Sequence, residues 1–403
     1  MDSFPCTGRL ILRILLLSFY FEPDLCAGSF RATSLVKALL DNLPSDANIE
    51  VITTLPNRYS SFNSEAPAYE IHPRLTVNRI SLASHNSGMV DQSKAFIGFA
   101  KGVLRLSNNN DYDLIFATSS RLMTAVLGAY VAKKIGRPLY LDIRDIFSDT
   151  IKDVLPRKVT WLANPIFSFL EGWTIRNAIK VNLVSEGFLA YFKARYPKQN
   201  FAFFTNGIDD EFIESQPKEC IQSDSKVLSV VYAGNMGEGQ GLHSIIPELG
   251  RRFAGRLQFK LIGDGGRRQQ LVSALELAAC NNVEILAPVK RDKLIEIYQN
   301  ADILFLHLND YDAFKKVLPS KLFEYGAVGK PIWAGVSGYA ANFVENNISN
   351  AATFSPCNAD EAESALDRLD MVTQPRNEFV SRFSRINIMQ RMAADIISSA
   401  RGH

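Results

Sequence analysis

Short apolar runs alternate along this chain with segments whose apolar residues recur at helical spacing. Leu10 to Leu17 is apolar but for Arg13 and suits a strand covered on both faces; Leu35, Val36, Leu39 and Leu40 then follow a helical period. The same reading predicts strands at Ile49 to Thr53, Thr76 to Ile80, Leu114 to Ala117, Leu139 to Asp142, Lys180 to Val184 and Phe201 to Phe204. Helices are predicted near Gln92 to Leu106 and Leu122 to Ile135. A second series of strands opens at Leu228 to Tyr232 and continues with 257–262, 283–286, 303–308 and 331–333. Helices near 242–253, 268–279, 293–299 and 320–328 fall between them. Strand and helix in alternation imply an α/β chain built of doubly wound parallel sheets.

Turn residues Thr205 to Asp209 and the polar stretch Gln216 to Lys226 divide the two series. The expected domains are 9–204 and 205–380, with a final helix in 381–403, near Ile386 to Ala400, that can pack on either half, including back on the first domain. At roughly 150 residues per domain, 403 residues leave room for two or three cores. A composition 47% hydrophobic and 21% charged excludes disordered and disulfide-scaffold classes, and a net charge of +2 argues against a nucleic-acid partner. The five cysteines lack disulfide or zinc-ligand spacing. Leu10 to Phe21 carries Arg13 and follows Asp2, so it reads as a buried strand of a cytoplasmic protein rather than a targeting segment, with Met1 to Gly8 a loose leader.

Open parallel sheets bind ligands beyond the carboxyl ends of their strands. The first such loop, FEPDLCAGSFR, offers Gly28 for close backbone approach and Ser29 as a helix cap, although a glycine at this point also suits an ordinary turn. LDIRDIFSD brings Asp142, Arg144, Asp145 and Asp149 to one strand end. There a carboxylate can take a proton from a hydroxyl, or the same residues can form a capped, salt-bridged helix start. YAGNMGEGQG and LIGDGG, the latter ahead of Arg267 and Arg268, supply backbone donors suited to a diphosphate without Walker A or dinucleotide spacing. In HLNDYDAFKKVLPSKLFEYGAVGKP, Lys315, Lys316 and Lys321 gather charge beside a helix that Ser320 can start. Glu324, one turn on, can accept the hydroxyls of a ribose.

Together LLLSFYFEPDLCAGSFR, LDIRDIFSDT, GNMGEGQGLH and PSKLFEYGAVGKP resemble the retaining glycosyltransferases of the GT-B fold, family four, and in particular the bacterial L-fucosamine transferases of O-antigen and capsule synthesis. The resemblance runs from Arg9 to near the end of the chain. It implies two Rossmann-like domains facing a central cleft and metal-independent, retaining transfer with no cofactor. The implied donor is a nucleotide-sugar, UDP-N-acetyl-L-fucosamine, and the acceptor a saccharide linked to undecaprenyl diphosphate at the inner membrane face. By motif position it implies catalytic Arg144 and Asp145, a hinge at Asn206 and Gly207, and a donor site of Gly28, Ser29, Gly234, Asn235, Arg268, Val289, Lys316, Ser320, Lys321 and Glu324, with Val289 beside the base. The chain departs from the family pattern where Asn235 and Gln240 replace an arginine and a lysine, and where Lys316 replaces a glutamate. Lys316, Lys321 or Arg268 then has to stabilise the leaving diphosphate.

The D-x-D triplet at Asp111 to Asp113 precedes a strand rather than following one. The stripe Leu162, Ile166, Phe169, Leu170 and Trp173 predicts a helix buried against the sheet. Trp161 and Phe167 lie outside that stripe, flanked by Lys152, Arg157, Lys158 and Arg176, and suit an anionic membrane surface. Two other readings stay open: a sugar-nucleotide epimerase of the same architecture, and a catalytically silent assembly partner.

Overall fold

The computed structural model describes residues 12–56, 65–82, 89–119, 122–146, 157–215 and 227–401. The leader, the polar stretch Gln216 to Lys226, Asp149 and Lys152 lie outside them, as does the side chain of Trp161.

Two sheets are formed. The first has strand order β3-β4-β2-β1-β5-β6-β7-β8, with β1 Arg13–Leu17, β2 Asn48–Thr54, β3 Tyr69–His72, β4 Leu75–Ile80, β5 Leu114–Thr118, β6 Leu139–Ile143, β7 Lys180–Leu183 and β8 Phe201–Ala202. All its pairs are parallel except edge strand β3, which runs antiparallel to β4. The second has order β11-β10-β9-β12-β13-β14, all parallel, with β9 Leu228–Asn235, β10 Leu257–Asp264, β11 Val283–Leu286, β12 Ile303–His307, β13 Ile332–Gly335 and β14 Ala351–Phe354. The central strands β1, β5 and β6 are buried along nearly their whole length, as near-continuous apolar runs require when helices cover both faces. Strand order reverses at β1/β5 and again at β9/β12, and each reversal opens a crevice beyond the carboxyl ends.

The chain crosses between the sheets twice, side by side. Ile208 N–H donates to the Phe383 carbonyl (2.8 Å) and Arg385 N–H to the Ile208 carbonyl (2.8 Å), while a Cβ on Gly207 would meet Arg385 Cα at 2.6 Å. Asp209 takes ion pairs from both Arg291 and Arg385, knotting the crossing together. The last helix, Arg385–Arg401, returns to the first sheet. Its Met389, Met392 and Ile396 are buried against helix Ala27–Asn42, and Tyr140 donates to Asp395 (2.8 Å).

Several short elements escape the hydrophobic pattern, among them β3, β14 and helices Tyr339–Asn347 and Ala359–Leu366. Helix Arg157–Arg176 corrects the expected stripe: Ile166 and Phe169 are 61% and 70% exposed. The buried side of its last turns carries Glu171, Thr174 and Ile175. Glu171 accepts from the hydroxyls of Tyr191 (3.0 Å) and Tyr196 (3.1 Å), and this buried polar cluster turns that side inward at the expense of the apolar stripe.

Candidate active site

A cavity of 380 Å³ lies between the carboxyl ends of the two sheets. From the first sheet it receives Cys26, Ala27, Phe30 and Asp145. From the second it receives the ends of β9, β10 and β12 and the start of helix Lys321–Val328.

Helix Ala27–Asn42 begins after Cys26, not at a Ser29 cap: Ser29 sits in the first turn, buried, and its hydroxyl has no hydrogen-bond partner among the described residues. Gly28 is buried with it, so the residues that reach the cavity are those on either side of the expected pair, Leu25 to Ala27 and Phe30. Two residues on, Arg31 is wholly enclosed. It grips Asp142 through Nε to Oδ2 and Nη2 to Oδ1 (both 2.9 Å) and donates to the carbonyls of Phe204 and Thr205 (both 2.7 Å). Asn182 completes the set with a 2.7 Å bond to Asp142. Burial alone pushes the Asp142 carboxyl up, but the Arg31 guanidinium outweighs it and holds the group below the ordinary range. This cluster fastens the first helix to β6, β7 and the crossing segment.

Arg144 and Asp145 part ways. Arg144 donates to the Ala27 carbonyl (3.2 Å) and does not line the cavity; burial lowers its pKa. Asp145 does line it. Water reaches its carboxylate through the cleft, yet protein surrounds it on both sides, and that desolvation pushes its pKa up to about 6 against the opposing pull of Arg144.

In the second sheet, Gly234, one residue before the end of β9, has φ 151°, a conformation that suits glycine, and a Cβ there would collide with Lys321 Cε. Lys321 therefore lies directly across the strand end. Among the described residues its ammonium makes no hydrogen bond or ion pair, and burial lowers its pKa while Glu324 raises it. Ser320 precedes it at the N-cap without a side-chain bond. Glu324 lines the cavity with Oε2 buried and unpartnered. Val289 lines it too, beside Pro288 and Leu294.

Two expected cations stand elsewhere. Lys316 does not line the cavity: its ammonium lies over the Tyr191 ring at 5.8 Å, and its carbonyl accepts from Ser185 Oγ (2.6 Å), so it joins the domains. Arg268 starts helix Arg268–Leu277 away from the lining. Asn235 and Gln240, which replace the family's two cations, bond to each other instead (2.7 Å), and Gln240 Oε1 also accepts from Gly237 N–H (3.2 Å).

Arg291 and His307 also line the cavity, and neither carries a sequence signal. Arg291 lies between the rings of Phe30 (4.5 Å) and Phe212 (4.9 Å) while paired with Asp209, so it links the cavity to the crossing. His307 Nε2 accepts from Cys357 N–H (2.9 Å), which leaves Nδ1 to donate to the Gln240 carbonyl (2.7 Å); burial lowers its pKa to about 4.

Comparison with solved structures extends over nearly the whole chain. Sucrose-phosphate synthase from Thermosynechococcus elongatus superposes with a TM-score of 0.74 at 12% identity, covering 97% of this chain and 100% of that one. WaaG, a glycosyltransferase involved in lipopolysaccharide biosynthesis, gives 0.64 at 11% identity, with 96% and 98% covered. The chain has the GT-B fold. Anabaena HepE, solved in complex with UDP, shares this GT-B architecture at TM-score 0.62 and 16% identity over 96% of this chain and all of that one. Residues 215–380, the second GT-B domain, match the family glycosyl transferases group 1. A stretch of 139 residues is 27% identical to the putative colanic acid biosynthesis glycosyl transferase WcaI of Escherichia coli K12, and it covers 32% of this chain and 34% of that relative. The match thus spans about a third of the curated relative's length.

Proposed function

We propose that this chain is a glycosyltransferase that moves a sugar from a nucleoside diphosphate to a saccharide acceptor in surface polysaccharide synthesis. The observation that carries the reading is the pairing of an unpartnered Lys321 ammonium with an unpartnered Glu324 oxygen at one cavity between two GT-B domains. A cation at a helix start favours a diphosphate, and a carboxylate one turn on accepts ribose hydroxyls. The matches to glycosyl transferases group 1 and to WcaI, and the UDP held by HepE, support the same class of donor.

In this reading the C1–O bond to the diphosphate breaks with retention. Lys321 and the helix start stabilise the departing charge, and the acceptor oxygen bonds to C1 as Asp145 takes its proton. The family resemblance makes this a transfer that needs no metal. Motif resemblance makes UDP-N-acetyl-L-fucosamine the donor to test first, and the acceptor a saccharide on undecaprenyl diphosphate. Among the described residues no helix is long and apolar enough to cross a membrane. A peripheral contact is favoured by neighbouring helices Met89–Leu106, Leu122–Ile135 and Arg157–Arg176, which expose Ile97, Tyr130, Ile166 and Phe169 beside exposed Lys94, Lys101, Lys133 and Lys134.

A thermal-shift screen of UDP-, GDP- and dTDP-sugars tests the donor. The expected result is stabilisation by one UDP-sugar, lost in Lys321→Ala and Glu324→Ala; wild-type binding by both variants overturns the assignment. Release of free sugar or an epimer without acceptor favours the epimerase reading. Co-sedimentation with anionic vesicles, reduced by Ile166→Ser with Phe169→Ser, tests the membrane contact.

A further inference from the structure

The cleft contains a second cavity, of 660 Å³, that the transfer reaction does not use. It lies past the contact between the segment after β7 and the turn at Phe314–Lys316, where Ser185 Oγ donates to the Lys316 carbonyl. The partition is thin. Val317 and Pro319 line the donor cavity, whereas Leu318 between them lines the second one.

We propose that this second cavity binds a short saccharide carrying an anionic substituent. Asn342, Asn346, Asn347 and Asn387 bring amides to its wall, groups that both donate to and accept from sugar hydroxyls. Phe203, 39% exposed, and Tyr339 offer ring faces to the apolar side of a pyranose. Arg382 and Arg391 line the same cavity, and among the described residues neither forms an ion pair. Arg382 meets only neutral partners, the Asn347 amide (3.0 Å) and the Phe383 ring. Thr205 Oγ1, buried at the same wall, has no hydrogen-bond partner among the described residues. Unpaired guanidinium groups beside amides and aromatic rings match a hydroxyl-rich ligand with a carboxylate or phosphate. Among the described residues the only carboxylate on the wall, Glu186, faces the Tyr339 hydroxyl at 3.5 Å.

The inference stands apart from the donor reading, since it needs neither Lys321 nor Glu324.

Calorimetric titration of the full chain, with UDP present throughout, tests it with three probes: glucuronyl-glucose disaccharide, cellobiose and inorganic phosphate. The acidic disaccharide is expected to bind alongside UDP, and cellobiose about tenfold more weakly. Arg382→Ala with Arg391→Ala is expected to lower the acidic disaccharide's affinity about tenfold, while Lys321→Ala leaves it unchanged. Asn346→Asp, an exposed change that sets a like charge on the wall, is expected to weaken the acidic probe more than cellobiose. Absence of binding, equal binding of phosphate alone, equal binding of cellobiose, or indifference to both sets of variants overturns the proposal.

Discussion

Arg31, buried, and Lys321, half-buried, are both cations in the first turns of a helix beside the cleft, each near a carboxylate, and they are wired in opposite ways. Arg31 spends its guanidinium on Asp142 and on the carbonyls of Phe204 and Thr205. Lys321 lies across Gly234 with no partner of its own, beside a Glu324 oxygen that also has none. A saturated buried ion pair holds a fold together, because losing one member strands the other away from water. An unsaturated one weakens the protein and keeps its hydrogen-bonding capacity for a ligand. The first domain therefore uses its cation to fasten the crossing segment, and the second leaves its cation, unpaired among the described residues, at the cavity.

The largest expected effect comes from breaking the saturated pair. Arg31→Ala leaves Asp142 buried and uncompensated and should cost about 3–5 kcal/mol of unfolding free energy, read by denaturant titration. Lys321→Ala should do the reverse, leaving stability equal or higher while donor affinity falls by about 2 kcal/mol, measured by calorimetry. Equal destabilisation by the two variants would erase the distinction.

Glu324→Gln keeps the shape and removes the charge. It should weaken UDP by about 1 kcal/mol and 2′-deoxyuridine diphosphate by less, if the carboxylate holds ribose hydroxyls. Asp145 carries its own pH signature. Its folded pKa, about 6, lies above the ordinary carboxylate value, so its ionised form costs stability above pH 6 and the cost fades as pH falls toward 4. Asp145→Asn should accordingly raise Tm at pH 7.5 but little at pH 4, while transfer activity is lost. His307 runs the other way: its folded pKa, about 4, lies below 6.5, so the stability it contributes is complete above pH 6.5 and drains away toward pH 4. His307→Gln should flatten that part of the Tm profile by a few degrees, the smallest effect of the five.

The sequence by itself determined the central strands of both sheets, though not edge strands β3 and β14. The buried runs of β1, β5, β9 and β12 can satisfy their apolar side chains only inside a parallel sheet, and the helical periods between them fix the crossovers. It also brought Ser320, Lys321 and Glu324 together, because one helix turn sets their spacing. Tertiary structure alone decided which basic side chains face the cavity. Lys316 went to Tyr191 and the domain contact, Arg268 stayed off the lining, and Arg291 and His307 arrived through partners 82 and 50 residues away in the chain. The exposure of Ile166 and Phe169 was settled the same way, by Glu171 and two distant tyrosine hydroxyls. Local spacing fixes a backbone period; the direction of a charge depends on every group that can solvate it, and most of those groups are remote in sequence.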